Sequence, residues 1–362
     1  MQHSRAVGIV ALTLAATAAL SGCAVNEMVG PGGSDSTLTG TLVGAGSSAL
    51  GAAQNSWIAG FQTAHPRANV TYDPTGSGAG REAFAGGGTD FAGTDRAFST
   101  DELDELTFAS CAAGSGVVQL PLYISPIAVI FQLEGIDSLN MSAEIIAGIF
   151  AERITAWDDP AIAELNEDVS LPDLAITPVH RSDDSGTTEN FTDYLAQAAP
   201  AVWPFDADGV WPINSGEAAQ GTSGVVDAVT NGVGTIGYAD ASRAGGLGIV
   251  SVGVGEEFVP YSPEAAAAIV DASPTIDGRP DFDLSLELDR DTTASGVYPI
   301  VLVSYLVACE RYPDPVKASL VAEYFRYMAS PEGQRVAEVG AGSAPISDAL
   351  FARVSDAIEV IS

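Results

Sequence analysis

The chain has 362 residues, 46% hydrophobic and only 17% charged, with 39 Gly and 20 Pro; at about 150 residues per domain, that is enough apolar matter for two ordinary cores. A peptide hormone, a disulfide knot and a disordered chain are excluded. Lys+Arg number 14 against 47 Asp+Glu, a net charge of −33, whereas a nucleic-acid binder needs a basic face, so no nucleic-acid partner is expected.

Met1–Arg5 is short and polar with one positive charge, Ala6–Leu20 is an apolar run, and Leu20-Ser21-Gly22-Cys23 follows. That order reads as a signal peptide, and the run is shorter than the ~20 residues a helix needs to cross a bilayer. The segment resembles a bacterial lipoprotein signal, which implies removal of residues 1–22 and acylation of Cys23. Residues 23–37 then form a flexible tether that holds the folded part at the extracytoplasmic face of the cell membrane. In an oxidising compartment Cys111 and Cys309 remain as an even pair; a disulfide is expected, two separate buried thiols being the alternative.

Thr39–Val43 reads as a strand, and Ala49, Leu50, Ala53, Trp57, Ile58 and Phe61 recur behind it at helical spacing. Val70–Tyr72 is a second strand, Gly76–Gly80 a glycine turn and Arg81–Ala85 a helix. Asp90–Ala92 leads into a polar turn, Asp101–Leu106 is helical, and Val117–Leu122 and Ile127–Phe131 are two buried strands. Ser142–Phe150, Asp159–Leu165 and Thr187–Ala198 are helices around a strand at Ile176–Val179. Thr235–Tyr238 and Ile249–Val252 are strands, and Val316–Met328 is an amphipathic helix. Strands and helices alternating across short loops predict α/β layers. Residues 271–293, rich in Pro and Asp, are expected to form a long surface loop or edge ribbon. Asp281, Asp283, Asp289 and Asp291 there, like Asp206 and Asp208, lack the spacing of a calcium loop, so solvated surface and no metal site are expected.

Three turns share one chemistry. Gly44-Ala45-Gly46-Ser47-Ser48, Thr75-Gly76-Ser77-Gly78-Ala79-Gly80 and Asp184-Ser185-Gly186-Thr187-Thr188 each set glycines and a hydroxyl at the start of a helix. Helix N-termini present unpaired N–H groups and roughly half a positive charge, which suits an anion; plain capping by Ser and Thr is the alternative. Arg181 stands just ahead of the third turn, suited to a two-pronged oxyanion contact, with Asp183 placed to fix it. Asp95 closes the run Asp90-Phe91-Ala92-Gly93-Thr94. An ionised carboxylate accepts hydrogen bonds and donates none, so Asp95 suits an anion that carries a proton, as hydrogen phosphate does and sulfate at neutral pH does not.

With these motifs in this order, joined by Ile149–Ile162, His180–Thr188, Trp211-Pro212-Ile213 and Ile236-Gly237-Tyr238, the chain resembles the binding proteins of the bacterial phosphate ABC transporter over nearly all of residues 41–350. The resemblance implies a two-lobed α/β fold of the periplasmic-binding-protein type, with lobe one at 38–123 plus 300–362 and lobe two at 124–299. The crossings fall near Leu122–Ser125 and Tyr298–Val301, which leaves Cys111 and Cys309 together in lobe one. It implies that Ser48, Ala49 through its N–H, Ser77, Asp95, Arg181, Ser185, Gly186 and Thr187 surround one inorganic phosphate, with Asp183 behind Arg181. Ser48 stands where threonine is common in that family and Ala49 where an aromatic is frequent; both changes keep the donors. Permease subunits are the implied partners of a monomer that needs no cofactor. Rival readings are a site for another tetrahedral oxyanion, such as sulfate or molybdate, and a phosphate sensor with no transport role. A Ser/His hydrolase is disfavoured: after the signal only His65, expected at the surface, and His180, expected at a strand end near the cleft mouth, remain, and no Gly-x-Ser-x-Gly elbow exists.

Overall fold

The computed structural model describes residues 37–362; the expected signal peptide, Cys23 and the tether up to residue 36 lie outside the described residues. The first stretch runs β1 (Gly40–Gly46), α1 (Gly51–Ala64), β2 (Ala68–Asp73), α2 (Ser77–Ala85), β3 (Phe91–Thr94), α3 (Thr100–Glu105) and the long β4 (Val117–Phe131). The middle carries β5 (Ser138–Met141), α4 (Ala143–Phe150), α5 (Pro160–Ala163), β6 (Thr177–Arg181), α6 (Gly186–Ala198), β7 (Glu217–Ala219), α7 (Gly221–Asn231), β8 (Thr235–Asp240), β9 (Gly248–Val254), β10 (Glu257–Val259) and α8 (Pro263–Ala272). The chain returns through β11 (Val301–Cys309) and ends in α9 (Pro315–Ala329), α10 (Pro331–Ala341) and α11 (Asp348–Ile358). This is the mixed α/β architecture expected of a periplasmic-binding-protein fold.

The sheet order is β2-β1-β3-β11-β4-β8-β6-β7, with β9 beside β4 and carrying β5 and β10. Pairs joined by crossover helices are parallel, β1 with β2 and β3 on one side and β6 with β8 on the other. β4 is antiparallel to its three neighbours: Val117–Pro126 pair with β11, Ile127–Phe131 pair with β8, and Ile130 and Phe131 also pair with β9. All 15 of its residues are buried, so both faces are covered and the strand reads as a near-continuous apolar run. The two strands expected at 117–122 and 127–131 are therefore one, and the stretch Leu122–Ser125 lies inside it. Its register slips between Ser304 and Tyr305, which face Tyr123 and Pro121 and leave Leu122 as the extra residue of a bulge.

Two corrections have clear causes. Helix α2 starts at Ser77, not Arg81, so the glycine turn is the helix's own first turn. A Cβ on Gly80 would stand 2.2 Å from the Gly46 Cα, so glycine lets this helix lie backbone-to-backbone on β1. Residues 271–293 are not solvated throughout: Asp283, Leu284, Ser285, Leu288 and Arg290 are buried. Asp283 accepts hydrogen bonds from Gln119 at 2.7 Å and Arg279 at 2.8 Å, which ties the loop to β4 and satisfies its charge; Asp281, Asp289 and Asp291 are exposed. A disulfide joins Cys111 to Cys309, Cα atoms 5.3 Å apart. Among the described residues no helix is long and apolar enough to cross a membrane.

Candidate functional site

The turn after β1, the start of α2, strand β11 and the start of α6 meet at one buried residue, Asp95. Asp95 follows β3 and is 3% exposed. Its Oδ2 accepts from the Ser47 hydroxyl at 2.6 Å and from Thr187 at 3.2 Å, and its Oδ1 accepts from Ser304 at 2.6 Å. Its backbone N–H donates to the Ser77 Oγ at 3.2 Å, and its carbonyl accepts from the Asn190 amide at 2.7 Å. Burial pushes the Asp95 carboxyl above its usual range, while hydrogen bonds from Ser304 and Ser47, the Arg181 charge and the Thr187 hydroxyl pull it back.

Arg181, the last residue of β6, donates from Nε to Asp183 Oδ1 at 2.8 Å and from Nη2 to Oδ2 at 2.5 Å. Burial raises the Asp183 carboxyl, but the Arg181 hydrogen bonds and charge and the Gly221 N–H outweigh it and hold Asp183 below its usual range. The Arg181 backbone N–H meets the Tyr238 hydroxyl, which Thr188 also meets at 2.8 Å. The start of α6 reaches across to the β3 side. A Cβ on Gly186 would stand 2.6 Å from the Asp95 Cβ and 2.8 Å from the Ser77 Oγ. One on Gly76, where φ is +106°, would stand 2.8 Å from Asp183 Oδ2. The two sides of the sheet are thus in contact at the site, and only glycine fits at either point.

The structure brings Ser77, Asp95, Arg181, Asp183, Gly186 and Thr187 together and gives other expected residues different work. Ser185 caps α6, accepting from the Thr188 N–H at 3.3 Å. The Ala49 N–H donates to the Ser47 Oγ at 3.1 Å. Ser48 turns to the far side, its Oγ 2.9 Å from the Thr222 Oγ1 and accepting from the Thr222 N–H at 3.2 Å. Thr222 lies in the first turn of α7, a fourth helix start at the site; the residues just ahead of α1, α2 and α7 make no side-chain cap, and the first two N–H groups of α7 donate instead to Asp183 and Ser48. Beside this contact a cavity of about 340 Å³ opens between Pro74, Thr75 and Asn55 on one side and Gln220, Ser223 and Arg243 on the other.

Sequence reasoning missed Ser47, Ser304, Thr222 and the strut behind the site. Arg290, 3% exposed, donates to the carbonyls of Pro299 at 3.2 Å and Val301 at 3.0 Å, to Asp193 at 2.5 Å and to Asn190. Asn190 in turn holds the carbonyls of Asp95 and Gly186. Arg96, just after β3, pairs with Glu189 of α6 at 2.7 Å; burial pushes Glu189 up to about 7 against the pull of Arg96 and Arg81. His180 is buried within β6, stacked on Trp211 at 4.9 Å, its ring nitrogens facing the carbonyls of Arg181 and Ser215. His65 follows α1, half-buried against Phe61.

Buried hydroxyls, a fixed guanidinium and helix N-termini from both sides are brought together here, a set of donors whose chemistry suits a small oxyanion. Comparison with known proteins places the chain. Residues 32–332 match the family model of the PBP superfamily domain. "Phosphate-binding protein PstS 3" of Mycobacterium tuberculosis is 33% identical over 375 residues, covering 99% of this chain and 98% of that one. "Phosphate-binding protein PstS 3" of Mycobacterium leprae is 32% identical over 377 residues, covering 100% and 99%. The fold matches a solved high-affinity periplasmic phosphate-binding protein, PfluDING, with a TM-score of 0.68 at 21% identity over 88% of this chain and 93% of that one. The chain belongs to the PBP superfamily and, within it, to the family of the PstS phosphate-binding proteins.

Proposed function

We propose that the chain captures inorganic phosphate between two lobes and delivers it to the permease of an ABC transporter, anchored at the extracytoplasmic face of the membrane by lipid on Cys23. The observation that carries this reading is the convergence on Asp95, whose carboxylate meets Ser47 and Ser304 from one side of the sheet and Thr187 from the other, beside an Arg181 fixed by Asp183. Asp95 accepts the proton of hydrogen phosphate; Arg181, Ser77 and the N–H groups of Gly186 and Thr187 donate to its oxygens, with Ser185 shaping the turn, while Ser48 and the Ala49 N–H, expected as further donors, are engaged by Thr222 and the Ser47 Oγ. Lobe one comprises 38–123 and 300–362, and lobe two 124–299. The protein acts as a monomer and a carrier, with no chemical step. Its net charge of −33 does not oppose this, because exposed charges are largely screened beyond about 8–10 Å at physiological salt while the donors act at contact distance.

Calorimetric titration of the purified chain, freed of bound ligand by reversible unfolding, tests the site. Tight one-to-one phosphate binding with no sulfate response is expected; a sulfate response, or none to either anion, overturns the phosphate assignment. Mass spectrometry of the membrane-extracted protein tests the lipid, and phosphate uptake by cells lacking the gene tests delivery.

A further inference from the structure

We propose that Ser47 and Ser304 are specificity-determining residues that act through Asp95, holding its carboxylate as an acceptor only, so that the site takes an oxyanion bearing a proton and refuses one bearing none. The inference rests on the reading of the pocket as a phosphate site. A carboxyl group taken out of water tends to take up a proton. Once protonated, Asp95 would donate a hydrogen bond, and sulfate would find a partner where it otherwise meets a repelling lone pair. The discrimination therefore depends on whatever keeps Asp95 charged.

Two hydroxyls are built for that task. Ser304 comes from β11, at the bulge opposite β4, and donates to Oδ1 at 2.6 Å; Ser47 comes from the turn after β1 and donates to Oδ2 at 2.6 Å. Both are buried, and short hydrogen bonds to a carboxylate are strong ones. The Ser47 Oγ also accepts the Ala49 N–H, which occupies a lone pair and leaves its proton for Asp95. The other groups facing Asp95 are Thr187 on α6, Arg181 on β6, Tyr72 on β2 and Tyr123 on β4. Burial keeps both tyrosines neutral, pushing them well above their ordinary value. Thr187 and Arg181 also belong to the anion's own contacts, so Ser47 and Ser304 are the donors that serve the carboxylate.

Sulfate titration of the full chain across the acid-to-neutral range is the test, because sulfate carries no titrating proton there and any change reports the protein. In the unaltered chain sulfate binding strengthens as pH falls through the Asp95 pKa. In Ser304→Ala, and separately in Ser47→Ala, that rise should begin about one pH unit higher or more, cutting the phosphate-over-sulfate ratio near neutral pH by about tenfold. Ser304→Thr, which restores a hydroxyl, should return the original profile. An unmoved sulfate profile in either folded alanine variant, with phosphate still bound by the unaltered chain, overturns the proposal and spares the phosphate reading. Weaker phosphate binding in Ser47→Ala with an unmoved profile also overturns it, marking Ser47 as a direct contact. Should Ser304→Ala fail to fold, Ser47→Ala reads the same property at the other oxygen. An unaltered chain that binds no phosphate removes the underlying reading instead.

Discussion

Arg181 and Asp183 face each other across a single intervening residue and form a two-pronged pair, with the guanidinium 2% and the carboxylate 17% exposed. Asp183 also accepts the Gly221 N–H at 3.0 Å, so the turn before α6 and the start of α7 fix the plane of the guanidinium together. Arg181→Ala should weaken phosphate binding at least tenfold, about 1.4 kcal/mol. Arg181→Lys keeps the charge without the fork and should fall between. Calorimetric titration of the two variants ranks them, and equal affinity for all three chains would refute the role.

Gly186→Ala should impair binding without unfolding the protein. Its methyl group would meet the Asp95 Cβ at 2.6 Å and the Ser77 Oγ at 2.8 Å, contacts that exist only in the closed arrangement if the two lobes open as proposed. Overpacking of this kind costs about 1–3 kcal/mol, or roughly 5- to 150-fold in affinity. The urea midpoint of the ligand-free variant should stay near that of the unaltered chain, so a large drop in both readings would show that the clash is felt throughout the fold.

Cys111 and Cys309 close a sequence separation of 198 residues. A cross-link over so long a loop restricts the unfolded chain strongly, and removing a native disulfide costs about 2–5 kcal/mol. The double variant Cys111→Ala, Cys309→Ala should lose that much stability in urea unfolding while titrating with phosphate as before, because neither sulfur contacts the site. A variant as stable as the parent would leave the bridge without a stabilising role.

Asp240 ends β8, fully buried, with the Tyr123 hydroxyl donating to it at 3.0 Å and Ser242 holding its other oxygen. Burial lifts its carboxyl from 3.8 to about 6, against hydrogen bonds from Ser242, Ser125 and Tyr123. A carboxyl whose folded pKa exceeds its unfolded one binds more protons when folded, so its contribution to stability falls as pH rises through that window and is flat above it. Asp240→Asn should abolish a decline on the order of 2–3 kcal/mol. Urea unfolding at a series of pH values, compared between the two chains, isolates the effect from Asp183 and Glu102, which shift the other way.

Much of the fold was legible because most elements carry a local signature: apolar periodicity for α1 and α9, short apolar runs for β1, β2 and β8. Asp95, Ser77, Arg181 and Thr187 were legible for the same reason, each beside a glycine turn or a helix start. What escaped depends on distant partners. Ser304 lies 209 residues from Asp95, inside an apolar run that shows only its burial. Thr222 meets Ser48 across 174 residues, and α7 begins after Gln220 with no side-chain cap to announce it. Asp283 looked solvated because Gln119, which holds it, is 164 residues away. The start of α2 was misplaced because glycine is a poor helix former, and the close approach to Gly46 that requires it is a tertiary fact.

The strand β4 makes the joint between the two sides of the sheet a ribbon and not a swivel. A swivel turns freely, whereas a ribbon laddered along Val117–Pro126 to β11 resists torque and springs back when released. If the two lobes close on the anion as proposed, their rotation is a torsional deformation spread over neighbouring peptides of β4 and β11 and not a swing about one bond.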